Sequence, residues 1–368
     1  MDAGARLRIS WIDVCRGFAM LLVVVGHNQI LMGQSLSLVK FIYLFHMPLF
    51  FFISGITLKP DQGLTYYFTR AINVIAVYFV FSFLVLPFVL MKNPDDGVFN
   101  IVLGILYGTG HTIEVAPLWF IPCLFFSIVL VGLALVISNH FNNTDRESNR
   151  SPIFFLALLF IGVGVFLINS IHYYLIDNLA WGSLKNSGMI WSIDIAIIGA
   201  GFILLGMYAK VFVDKYKITE IKSIYLIVSI VCAIFVMLGL FSFGVDVDLN
   251  FRKIAHYPLA MLCMILGIFF SILFSIFLDK YTYLSTILSS IGKSTLLILL
   301  FHNAIQNHLI FTIGDSKIYS AVIGIVIAIL IPIVLDKFVV NKYELFRKIV
   351  YPKLSINLAS KIMVGKRF

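Results

Sequence analysis

Charge is scarce in this chain. Only 12% of the 368 residues are Asp, Glu, Lys or Arg, roughly half the share of an ordinary soluble domain. Hydrophobic residues reach 61%, and no soluble core could bury that excess, which excludes a water-soluble enzyme or binding module. Cysteine is equally sparse. Cys15, Cys123, Cys232 and Cys263 each lie in or at the end of an apolar run, without Cys-x-x-Cys spacing, so neither a metal site nor a disulfide framework is expected. No polar stretch is long enough for a separate aqueous domain. The net charge of +9 would suggest nucleic acid in a soluble protein; in a membrane chain such an excess fixes topology, and no nucleic-acid partner is expected.

Apolar runs are what the chain has in quantity. Segments near 13–32, 38–58, 71–91, 118–138, 152–169, 188–208, 222–242, 257–278, 291–311 and 318–338 predict an all-α, polytopic membrane bundle of about ten spans. Ile101 to Tyr107 is apolar but too short to cross, and reads as a re-entrant or interfacial piece. Arg6 and Arg8 precede the first run as in a signal sequence. Gly26-His27-Asn28 then follows without a small-residue cleavage site, so the run is an uncleaved first helix.

With both termini in the cytoplasm, all but six of the 27 basic residues fall inside, the exceptions being Lys40, Lys92, Lys185, Arg252, Lys253 and Lys317. That asymmetry predicts N-in, C-in, in the inner (plasma) membrane. Residues 1–340 then form one transmembrane domain. Residues 341–368 form a basic cytoplasmic tail in which Tyr343, Leu345, Phe346, Ile349 and Val350 interleave with Lys342, Arg347 and Lys348; it either lies along inner-leaflet lipids or is simply solvated.

Polar groups inside spans need a partner, a cavity or a job. His27, His46, Asp194 and His302 fall within about two helical turns of one another in depth toward the outer side, with Asn28, Asn303 and Gln306 beside them. A lone membrane histidine usually only hydrogen-bonds to a neighbouring helix. Three in one stratum suit a catalytic pocket or a transport path. On the inner side stand Arg16 and Arg70. Arg16 precedes His27 by eleven residues, about 1100° of helical rotation, so the two share a face roughly 16 Å apart. Asp13, three residues earlier, can pair with the guanidinium. A cation below and an imidazole above on one face suit a long anionic donor such as coenzyme A.

These residues also carry a family resemblance. Ile12-Asp13-Val14-Cys15-Arg16-Gly17 followed by Gly26-His27 resembles the opening of the membrane acyltransferase-3 family, whose first helix has Arg/Lys-x10-His. Phe45-His46-Met47-Pro48-Leu49-Phe50-Phe51-Phe52-Ile53-Ser54-Gly55 is similar to the fucose 4-O-acetylase-like branch. Phe68-Thr69-Arg70, Pro117-Leu118-Trp119-Phe120-Ile121-Pro122, Leu205-Gly206-Met207-Tyr208 and Ile291-Gly292-Lys293-Ser294-Thr295, running on to His302, extend the likeness along the chain.

The resemblance implies an integral-membrane O-acyltransferase. It would move an acyl group, usually acetyl from acetyl-CoA, to a hydroxyl of a sugar, glycan or lipid-linked glycan, without a metal, as in O-acetylation of cell-envelope polysaccharide. By position His27 matches the family's essential histidine, and Arg16 and Arg70 match arginines that serve the acyl donor. Leu124 stands where many relatives have a glutamate, leaving Asp194 or Glu114 as the acidic partner. His27 is expected to act as general base or to carry the acyl group covalently. Asp194 or His302 would orient it, Asn28 or Asn303 would face the oxyanion, and His46 and Trp119 would line the pocket. The competing reading is a proton-coupled transporter or flippase, against which stands the lack of a repeat of the His27 or His46 motifs.

Overall fold

The computed structural model describes residues 10–60, 62–92, 97–141, 151–170, 188–215, 217–313, 318–352 and 354. They are overwhelmingly helical. Among them eight helices are long and apolar enough to cross a membrane, or nine if one bent pair counts as a single span. The protein is a helical, multi-pass membrane protein, with one two-stranded antiparallel hairpin, β1 (Val247–Asp248) and β2 (Lys253–Ile254). The chain divides into two compact units, Met1–Ile53 with Lys210–Phe338 and Ser54–Ala209 with Val339–Phe368.

In the first unit α1 (Ser10–Gly26) ends six residues before the limit expected from hydropathy. The cause is local. Asn28 adopts an extended backbone and its side chain caps α2 (Gln29–Gln34) by accepting from the Leu31 amide, 3.2 Å away, so the helix restarts in a new direction. α3 (Leu36–Tyr43) and α4 (His46–Thr57) follow, and together span Leu36–Thr57.

The other departure lies in the expected span at 291–311. It is two helices, α12 (Thr282–Lys293) and α13 (Thr295–Ile313), bent by 81° at Ser294. Ser294 donates to the buried carboxylate of Asp336 (2.8 Å) and Thr295 to the Gly292 carbonyl (2.5 Å). Hydroxyls that take over backbone or remote acceptors favour such a break. Asp336 opens a short π-helical segment that follows α14 (Ile318–Leu335).

α1 and α12 meet backbone to backbone. A Cβ on Gly17 would stand 2.0 Å from the Leu288 carbonyl oxygen, and one on Gly292 2.0 Å from that of Asp13; glycine at both positions permits the approach. Around this contact Val14, Met20, Val23, Val24, Leu288, Ile291, Ile298, Ala328 and Ile329 form a buried cluster. α10 (Ser223–Ser242) and α11 (Tyr257–Asp279) flank the hairpin, and α11 sets Phe270 and Phe274 edge-on to Phe18 of α1.

The second unit holds α5 (Leu64–Lys92), α6 (Val98–Tyr107), α7 (Phe120–Phe141), α8 (Ser151–Ser170) and most of α9 (Ile193–Lys215). α6, at 10 residues, is the short apolar piece anticipated near 101–107. Of the tail expected over 341–368, residues 353 and 355–368 lie outside the described residues. Its described part contains α15 (Glu344–Val350), braced by a Lys348–Glu344 pair at 2.8 Å, with Tyr343, Leu345 and Phe346 exposed. Leu354 exchanges two backbone hydrogen bonds with the Asn73 side chain of α5, at 2.7 and 3.1 Å.

Candidate active site

Three histidines converge in the first unit. His27 lies in the turn just beyond α1, His46 opens α4, and His302 is on α13. The rings of His27 and His302 are T-shaped, 88° apart with centroids separated by 5.3 Å. Tyr43 lies against two of the three, 6.0 Å from the His27 ring and 4.8 Å from that of His46.

All three imidazoles are tethered the same way. The Nδ1 atoms of His27, His46 and His302 lie 2.9, 3.1 and 2.9 Å from the carbonyl oxygens of Val23, Ile42 and Ile298. A carbonyl only accepts, so Nδ1 carries the proton in each ring, and whenever the ring is neutral Nε2 carries the lone pair. The neutral Nδ1–H tautomer leaves Nε2 as the basic and nucleophilic atom. His302 is fully buried, and its Nε2 has no hydrogen-bond partner among the described residues. A buried polar atom without a hydrogen-bond partner costs stability.

The cluster is braced by a buried amide pair. Asn28 donates to Gln306 Oε1 (2.6 Å) and to the Ala321 carbonyl (3.4 Å), and Gln306 donates to the Val24 carbonyl (3.1 Å). With Leu31 N on its oxygen, both amide hydrogens of Asn28 are taken up in bracing the turn that carries His27. Asn303 sits half-buried beside His302. On α1, the helix that leads into His27, Arg16 lies 3.7 Å from Asp13, whose side chain is 5% exposed against 32% for the arginine. The pairing expected from their spacing is present.

Residues 9–337 match the acyltransferase domain that defines acyltransferase family 3. The chain belongs to the acyltransferase-3 family. It is a membrane acyltransferase. No curated protein and no solved structure matches it.

In this acyltransferase the remaining predicted site residues belong to the second unit. Arg70 is exposed on α5 with its guanidinium 5.5 Å from the centre of the Tyr66 ring. Trp119 is buried in the turn ahead of α7. Glu114 is taken up by an ion pair with Lys92 on the surface, which disfavours it as an acidic partner for a buried imidazole. Asp194 is 5% exposed in the first turn of α9, delivered by two consecutive left-handed residues, Trp191 (φ 53°) and Ser192 (φ 52°). Such a pair costs about 1–3 kcal/mol per residue. The turn is held in place by the Trp191 indole, which donates to the Leu106 carbonyl (2.6 Å) between Phe125 and Phe126.

Sequence reasoning passed over Tyr43, which touches two of the three histidines. Its one sequence signal is its place three residues ahead of His46. Beside the cluster the hairpin approaches α3: Asp246 pairs with Lys253 at 2.6 Å and with Lys40 of α3 at 3.3 Å. Burial pushes the Asp246 carboxyl up, but the two ammonium groups outweigh it and hold it below the usual carboxylate range. For Asp248 burial prevails over the backbone amides of Phe251 and Asn250, and its carboxyl is raised.

Proposed function

We propose that this acyltransferase is an integral-membrane O-acetyltransferase, taking acetyl from cytoplasmic acetyl-CoA and delivering it to a hydroxyl of a sugar, glycan or lipid-linked glycan at or across the inner membrane. The observation that carries the reading is the His27 imidazole, its Nδ1 committed to the Val23 carbonyl, in the turn that directly follows the helix bearing Arg16.

A sugar hydroxyl needs a base within hydrogen-bond reach. Nε2 of His27 takes the hydroxyl proton as the oxygen attacks the thioester carbonyl. The C–S bond then breaks, and the imidazolium returns the proton to the departing thiolate. His302 lies against the ring and fixes its setting while charge develops. Arg16 meets a phosphate or pantetheine oxygen of the donor, its charge oriented by Asp13. Asn303 faces the tetrahedral oxyanion. His46 shapes the acceptor side. Both termini are cytoplasmic in this reading, with the basic tail against inner-leaflet lipid.

The test is mass spectrometry of surface glycans from cells with and without the protein, together with acetyl-CoA turnover in isolated membranes. Acetylation adds about 42 Da to the acceptor, by the formula of the group, and donor consumption should accompany it. A proton-coupled transporter or flippase would give neither.

A further inference from the structure

We propose that Tyr43 is the residue that positions His27, an inference that rests on reading His27 as the reacting imidazole. The argument begins with the helix end. Gly26 closes α1, where carbonyls lack donors within the helix, while the amides of His27 and Asn28 already turn back to Val23 and Val25 (3.0 and 3.2 Å). The Tyr43 hydroxyl donates to the Gly26 carbonyl at 3.1 Å. It therefore grips the peptide group that leads directly into His27.

The ring of the same residue packs against both His27 and His46. Room for it depends on the missing side chain at residue 26: a Cβ there would come within 2.9 Å of Tyr43 Cε1. Tyr43 is itself anchored. It ends α3, which bears Lys40 in its ion pair with Asp246 and against which β1 packs. Beyond its own Nδ1 bond, the direction in which His27 Nε2 points is thus set by a tyrosine on a different helix. Deleting the hydroxyl alone frees the Gly26 carbonyl and lets the turn drift while the aromatic packing remains.

Tyr43→Phe and Tyr43→Ala, made in the full-length protein and purified in detergent, test this with three readouts. These are kcat and KM for acetyl-CoA, the rate at which diethyl pyrocarbonate modifies His27 by peptide mass spectrometry, and the melting temperature. Tyr43→Phe should lower kcat about five- to tenfold, the effect of one hydrogen bond. KM should stay within about twofold, and His27 should be modified faster at an unchanged melting temperature. Tyr43→Ala should lower kcat about a hundredfold or more; should it fail to fold, the Phe variant decides alone. Wild-type kcat together with wild-type His27 labelling in Tyr43→Phe would overturn the proposal. So would a kcat loss that merely follows a fall in melting temperature, with labelling of the exposed His256 and His308 rising in parallel. If the wild-type protein transfers no acetyl group, the proposed function fails, and the labelling still reports on Tyr43.

Discussion

The imidazole of His302 stands nearly perpendicular to that of His27, its centroid 5.3 Å away. Both rings present Nδ1 to their own helix, so the two basic nitrogens are the atoms left for chemistry. The Nε2 of His302 is buried and has no hydrogen-bond partner among the described residues, while its ring lies against that of His27. His302→Gln should therefore lower kcat about ten- to a hundredfold through misplacement of His27, with donor binding and melting temperature close to wild type. Unchanged kcat would return His302 to a packing role.

Arg16 makes the second prediction. Lysine keeps the charge but loses the planar fork, so Arg16→Lys should weaken acetyl-CoA binding moderately and Arg16→Ala severely. Loss of one charge-assisted hydrogen bond, worth roughly 1.5–3 kcal/mol, corresponds to about ten- to over a hundredfold in apparent affinity. Donor titration of purified protein measures this. Unchanged binding with a lower melting temperature would make Arg16 a structural partner of Asp13 alone.

The α1–α12 contact gives a third. An added methyl at Gly17 would meet backbone, the Leu288 carbonyl at 2.0 Å, which no side-chain rotation relieves. Gly17→Ala and Gly292→Ala should each cost about 1–3 kcal/mol or more by overpacking, seen as a melting temperature lower by several degrees. Gly33→Ala, with nothing within 4 Å of the added carbon, serves as the control and should melt as wild type does.

Hydropathy located most of the helices because lipid demands long apolar runs whatever the tertiary packing. It could not locate the breaks at Asn28 and Ser294, which depend on single side chains choosing backbone or remote partners: Leu31 N in one case, Asp336 in the other. The Arg16–Asp13 pair was legible since helical periodicity alone places it. Tyr43 was not, because its contacts with Gly26 and His27 join segments separated by a turn and a second helix. Nor did anything in the sequence foreshadow the left-handed pair Trp191–Ser192, since neither is a residue that favours positive φ.

The hairpin carries a pH-dependent contribution. Asp246 is held below its ordinary value of 3.8, so its ion pairs stabilise the fold fully above that value. The contribution is lost as pH falls through the lower folded value. Asp246→Asn should melt about one or two degrees below wild type at pH 7, in keeping with partly exposed ion pairs. The gap should close in strong acid, well below the ordinary carboxylate range. A gap of the same size at both ends would point to packing instead of charge.

The most direct measurement is acetyl transfer by purified His27→Gln, assayed with isotopically labelled acetyl-CoA alongside wild type and with donor binding and melting temperature followed in parallel. Glutamine retains hydrogen-bonding capacity but cannot take a proton or an acyl group as imidazole does. Transfer should fall to background while the variant still inserts, binds donor and melts as wild type does. Near-normal transfer by His27→Gln would contradict the account, and would leave the three histidines as packing groups in an acyltransferase whose chemistry lies elsewhere.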